Sequence, residues 1–238
     1  MNVQGGRGGA SMVEAGANAD TEDRGPGRNV ITLDGPAASG KSSAARLVAG
    51  RLGIPFVSSG LLYRVAAYLV EEMHGDPNDE GVVVRILTER RVRLVPSVAG
   101  DRILVGGRDV TAALHTDAVD AVVSAVARHR RVREWVRNRL REIPGSFVID
   151  GRDMGTAVFP DARHKFYLTA PAEVRARRRV GERSADLASV ADAIRRRDRL
   201  DAAQSVPAED AVHVETGELT LEQVVDRVME ALSEVGAV

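Results

Sequence analysis

The sequence predicts an α/β fold with a parallel sheet wrapped by helices on both faces. Three observations carry this. Short apolar runs at Val30–Leu33, Phe56–Val57, Phe147–Ile149, His164–Leu168 and Ala211–Val214 alternate with longer segments of helical apolar spacing. The first run ends in Gly35-Pro36-Ala37-Ala38-Ser39-Gly40-Lys41-Ser42, a complete phosphate-binding loop. Polar sets follow other runs in the same way, as expected where ligands bind at the carboxyl ends of parallel strands.

The loop has a physical reading. Glycines let successive backbone N–H groups turn onto phosphate oxygens, Lys41 bridges the outer phosphates, and the Ser42 hydroxyl suits Mg²⁺ carried with ATP. The helix that starts there, through Ser43 and small residues to Ala49, adds its unpaired N–H groups and partial positive charge. The fold is therefore expected to be a P-loop NTPase, with Gly35 to Ser43 as the ATP site.

Elements follow in order. Ile54–Val57 reads as a second strand and Leu61–Met73 as a helix. Arg91–Val95 and Arg102–Val105 alternate with period two around a Gly-containing turn, and Gly106-Gly107 precedes a third short strand at Asp109-Val110. This region predicts a small antiparallel insert. Thr116–Ala127, with Thr116 as N-cap, and Arg131–Glu142 read as helices, Trp135 packing the second on the core. A closing helix is expected over Thr220–Val235.

Composition bounds the function. Basic and acidic residues number 33 and 34, which gives no broad positive field for nucleic acid. No cysteine is present, so disulfides and thiolate-bound metals are excluded and a reducing compartment suits the chain. The apolar runs are too short to span a bilayer, and a cytoplasmic protein without membrane partners is expected. Residues 1–28, with almost no large apolar side chain, are expected to form a disordered leader, and residues 29–238 one domain.

The sets Asp34-Gly35, Ser58-Ser59-Gly60 and Asp150-Gly151-Arg152-Asp153 should meet in one cleft, although either serine would equally serve as a helix cap. Arginines cluster at Arg128–Arg141, Arg175–Arg183 and Arg195–Arg199. Arginine's planar fork suits phosphate, and a solvated helix face is the alternative reading.

The order of GPAASGKSS from Gly35, SGLLYR from Ser59, RVR from Arg131, and GRDMGT with VFPDA from Gly151 resembles the bacterial cytidylate kinases over about Asn29–Leu232. The resemblance implies transfer of the ATP γ-phosphoryl group to CMP or dCMP by a monomer. It places cytosine contacts on Ser124, Arg133 and Asp153, the monophosphate grip on Arg64 and Arg152, and sugar and phosphate contacts on Ser59, Arg197 and Asp201. Tyr63 and Gly151 belong to the same substrate motifs, and Lys41, Arg152 and Arg197 are the expected catalytic residues. The monophosphate insert would span about 82–127 and the lid about 178–190, its arginines between Arg175 and Arg199 closing over the transferring group.

Two departures stand out. Ser58 occupies a position where relatives commonly have aspartate, and Gln204 stands where they carry an arginine. If that arginine compensates charge in the transition state, its loss costs about 2.7–4 kcal/mol. Alternatives are a kinase for another monophosphate or metabolite, and an ATP-binding regulatory protein with impaired transfer.

Overall fold

The structure, a computed structural model, describes residues 28–182, 186–202 and 205–234, except the side chains of Glu182, Arg197, Leu200 and Asp201. Nearly all of the expected leader (1–27), the lid stretch 183–185 with Arg183, and Gln204 lie outside the described residues.

Five strands form one parallel sheet: β1 (Val30–Asp34), β2 (Phe56–Ser58), β6 (Phe147–Gly151), β7 (His164–Thr169) and β8 (Val212–Glu215), in the order β2-β6-β1-β7-β8. β1 is central and buried at all five positions, which is why it reads as a near-continuous apolar run. Alternation still sorts its side chains. Ile31 and Leu33 face the core formed with α1 (Lys41–Leu52) and α8 (Leu221–Glu234), whereas Val30 faces the core beneath α2 (Gly60–Glu72). Helices therefore cover both faces. Leaving β1, the chain goes to β2 on one side and only later to β7 on the other, so the order reverses at β1 and opens a crevice at the carboxyl edge.

Ahead of the antiparallel sheet stands α3 (Glu80–Glu89), which the sequence reading leaves unassigned. Asp79 caps it by accepting from the Val82 N–H at 3.1 Å, and Val83, Ile86 and Leu87 supply a buried helical stripe. The β-branched run Val82-Val83-Val84 hides that spacing locally. β3 (Val92–Val95), β4 (Arg102–Val105) and β5 (Arg108–Asp109) then form the expected antiparallel sheet. β5 starts one residue earlier than expected. Gly106 and Gly107 both have positive φ, 59° and 92°, and this two-residue turn pairs Val105 directly with Arg108.

A 3₁₀ turn (Thr111–His115) leads to α4 (Asp117–Val126), capped by Thr116 as expected, and then α5 (Arg130–Arg141). α5 buries Val132, Val136 and Leu140, with Trp135 partly buried against the same core. α6 (Ala172–Glu182) and α7 (Leu187–Asp201) form a helical pair through Ala176, Ala191 and Ile194.

Candidate active site

The sheet register brings the expected polar sets together. Asp34 pairs with Gly151 across β1 and β6, and Ser58 pairs with Asp150 across β2 and β6, so three strands end flush at one edge. The phosphate loop leaves β1 at this edge. Gly35 is required there: with φ 149°, a Cβ would sit 2.1 Å from the Leu168 carbonyl oxygen. Ala38 adopts the left-handed conformation at φ 59° and Gly40 at φ 89°, the backbone alternation that turns N–H groups inward. Lys41 Nζ donates to the Pro36 carbonyl at 3.0 Å and lies within electrostatic reach of Asp34 and Asp150.

Behind the loop stand three buried or half-buried carboxylates. Asp34 accepts from the backbone N–H groups of Met154 and Gly155 at 2.9 and 2.8 Å. These bonds hold a single wide helical turn (Met154–Val158) against the end of β1, its hydrogen bonds reaching five residues back, as from the Phe159 N–H to the Met154 carbonyl. Burial outweighs them and lifts Asp34 to about 6, with Asp153 adding to the rise and Lys41 opposing it. Asp150 is raised by burial, opposed by Lys41 and by the hydroxyls of Ser42 and Ser58. Asp101, from the β3–β4 turn of the insert, accepts from the Ser58 N–H at 2.8 Å and is likewise lifted by burial to about 6. Thus a carboxylate from another element reaches the end of β2 at Ser58. Nothing in local sequence signals this role for Asp101.

Among the described residues no three acidic or histidine side chains group to hold a metal by themselves, but Ser42 and Asp150 offer oxygen donors to a cation carried with a nucleotide. Ser42 Oγ donates to Asp150 Oδ2, and Asp150 Oδ1 is buried without a hydrogen-bond partner among the described residues. Hard oxygen donors beside a triphosphate loop fit Mg²⁺.

Across the cleft, Arg133 Nη2 contacts Asp153 Oδ2 at 2.8 Å, with both side chains less than one-fifth exposed. Tyr63 lies beside this pair, and burial pushes its hydroxyl up to about 12, with Arg133 opposing. Arg64 is held by the Leu114 carbonyl at 2.8 Å and by Asp120 at 2.7 Å, both from the insert. Arg152 reaches the Gly35 carbonyl at 3.4 Å. Ser59 is buried at the start of α2 and makes no side-chain cap bond to it. Ser124 is exposed on α4. Arg197 and Asp201 fall on α7, but their side chains lie outside the described residues.

One expectation changes. Arg175 and Arg178 do not reach over the loop as lid residues; they lie behind it, bonded to the carbonyls of Ala37 and Ser39. Arg195 is exposed and paired with Glu173 and Asp192. Sequence leaves phosphate clamp and solvated helix face open for these arginines, because helical spacing does not reveal which face turns toward a loop; Arg195 takes the solvated face.

A family model described as cytidylate kinase matches residues 31–234. The chain belongs to the cytidylate kinase family. A cytidylate kinase of Thermus thermophilus is 54% identical over 198 residues, covering 83% of this chain and 95% of its own length. One from Deinococcus radiodurans is 51% identical over 207 residues, covering 87% and 99%. The similarity to a cytidylate kinase of Bacillus subtilis is 35% over 215 residues. Among solved structures, an uncharacterized protein from Eubacterium ventriosum shares the fold at a TM-score of 0.50 and 13% identity, covering 87% of this chain and 99% of that one.

Proposed function

We propose that the protein transfers the γ-phosphoryl group of ATP to CMP or dCMP, giving ADP and CDP or dCDP, as a cytoplasmic monomer. The observation that carries this reading is the pairing of Arg133 with Asp153 beside Tyr63, Asp153 following β6, whose end lies level with the end of β1 that leads into the phosphate loop. Cytosine presents an amino donor next to a ring nitrogen and a carbonyl acceptor, and this carboxylate and guanidinium are their complements. A base lacking that pattern cannot complement both members of this half-buried pair, which penalises AMP, GMP and UMP.

In-line transfer forms a bond from the CMP phosphate oxygen to the γ-phosphorus as the bond to the β–γ bridging oxygen breaks. The chain contributes position and charge. Loop N–H groups and Lys41 hold the triphosphate, Arg64 and Arg152 take the acceptor phosphate, and Arg197 on α7 joins the transferring group. Ser42, with Asp150 behind it, would hold Mg²⁺, whose charge offsets that of the phosphates. Arg64 is already bonded to Leu114 and Asp120, so monophosphate binding exchanges protein acceptors for phosphate oxygens. In this reading the insert spans about 82–127 and the lid about 178–190, and Ser59, Ser124 and Asp201 complete the substrate contacts.

The test is ADP formation with each nucleoside monophosphate in the presence of ATP and Mg²⁺. CMP and dCMP are expected to be the best acceptors. Equal turnover with AMP or UMP would remove the cytosine assignment, and ATP binding without acceptor-dependent turnover would remove the kinase assignment.

A further inference from the structure

Arg175 is 5% exposed, and four hydrogen bonds engage its guanidinium. Nε donates to the Ala170 carbonyl at 2.8 Å, at the end of β7, and Nη1 donates to the Ala37 carbonyl at 3.1 Å, inside the phosphate loop. The fork also grips Asp198 of α7, at 3.2 Å from Nη1 and 2.6 Å from Nη2. One buried cation thus touches the sheet, the loop and the second helix of the α6–α7 pair.

Peptide geometry gives these contacts a function. The Ala37 carbonyl and the Ala38 N–H belong to one planar trans peptide and point in opposite directions. Holding the carbonyl toward the buried guanidinium turns the N–H to the open side of the loop, where phosphate binds. The Ser39 carbonyl is held in the same way, by Arg178 Nη1 at 3.4 Å and by Thr216 Oγ1 at 3.0 Å, which directs the Gly40 N–H outward. Ala38, between them, occupies a left-handed conformation that an alanine adopts at a cost of about 1–2 kcal/mol. A conformation so disfavoured needs outside support.

We propose that Arg175 is a positioning residue for phosphoryl transfer, which orients the phosphate loop through Ala37 and sets α7 against that loop through Asp198. Asp198 adjoins position 197 and lies one helical turn from position 201, so the angle at which α7 meets Arg175 sets where the backbone carries both positions. Arginine suits this task because it stays charged when buried and its planar fork fixes direction as well as distance. The inference rests on the reading of the loop as the ATP site.

Steady-state kinetics with varied ATP and CMP test it, with each variant's thermal midpoint measured alongside. Asp198→Asn retains the bond from Arg175 to Ala37, so KM for ATP should stay within about twofold while kcat falls about tenfold or more, the scale of a displaced reacting group. Arg175→Met should lower kcat and also raise KM for ATP about tenfold, and Arg175→Lys should recover part of the ATP binding without the kcat. Combining Asp198→Asn with Arg175→Met should lower kcat little beyond Arg175→Met alone, because one link is broken in both.

The proposal is overturned if folded Asp198→Asn keeps its kcat, if the two substitutions multiply independently, or if each loss disappears once rates are scaled to the folded fraction. Should Arg175→Met fail to fold, Asp198→Asn and Arg175→Lys decide the matter by the same split between KM and kcat. Absence of turnover in the unsubstituted protein would instead count against the kinase reading.

Discussion

Arg133 and Asp153 face each other at 2.8 Å although one comes from α5 and the other follows β6. Their value lies in what an inserted base would offer each. Asp153→Asn preserves the shape but gives up the charge that receives the amino group, and charged hydrogen bonds are worth about 1.5–3 kcal/mol. kcat/KM for CMP should fall by about 10- to 100-fold while KM for ATP stays within twofold; an equal loss for both substrates would argue for a merely structural pair. Gly35 makes a different point at the same scale. Its positive φ and the Leu168 carbonyl leave no room for a Cβ, so Gly35→Ala should lose about 1–3 kcal/mol of unfolding free energy in urea, the scale of overpacking. The glycine's place in the loop is legible from sequence, but the carbonyl that enforces it belongs to another strand and is not.

Among the elements, those with uninterrupted local signals are the ones the sequence anticipates. β1 and β6 are apolar runs bounded by polar sets, α4 carries Thr116 at its N-cap, and α8 has a clear amphipathic stripe. α3 escapes because three consecutive valines suggest strand, and its identity depends on the Asp79 cap and on packing against α2 and α5. α7 is likewise set by a cap: Asp186 accepts from the Ser189 N–H at 2.9 Å. Asp186→Ala should cost about 0.5–2 kcal/mol and speed amide exchange in the first turn of α7. Unchanged protection at Ser189 would show that contact with α6, not the cap, holds that turn.

At the scale of the molecule, insert and core are joined by a half-buried carboxylate, and this gives stability a pH dependence. Asp34 and Asp101 titrate near 6 in the folded protein against an ordinary 3.8. Between about pH 4 and 6 the native state therefore holds more protons than the unfolded chain, and unfolding free energy falls as pH rises through that window. Their stabilising contribution is complete below it and lost above it. Asp101→Asn keeps an oxygen for the Ser58 N–H but cannot ionise. Relative to the unsubstituted protein, this variant should gain on the order of 2 kcal/mol between pH 4.5 and 7, measured by urea unfolding. Parallel pH profiles for the two proteins would rule out Asp101 as a source of that slope.

Sequence alone determined the phosphate loop, the parallel sheet and the antiparallel insert, because each is written in local terms: glycine spacing, apolar period and turn residues. It also carried the family motifs that bring Arg64, Arg133, Arg152 and Asp153 into consideration together. Tertiary structure decided which carboxylates surround the loop and which way the arginines face. Asp101 reaches Ser58 across 43 residues and Arg175 reaches Ala37 across 138, and such contacts follow from how helices pack on the sheet edge rather than from any pattern along the chain. A helical period tells which residues share a face, and only packing tells what that face meets.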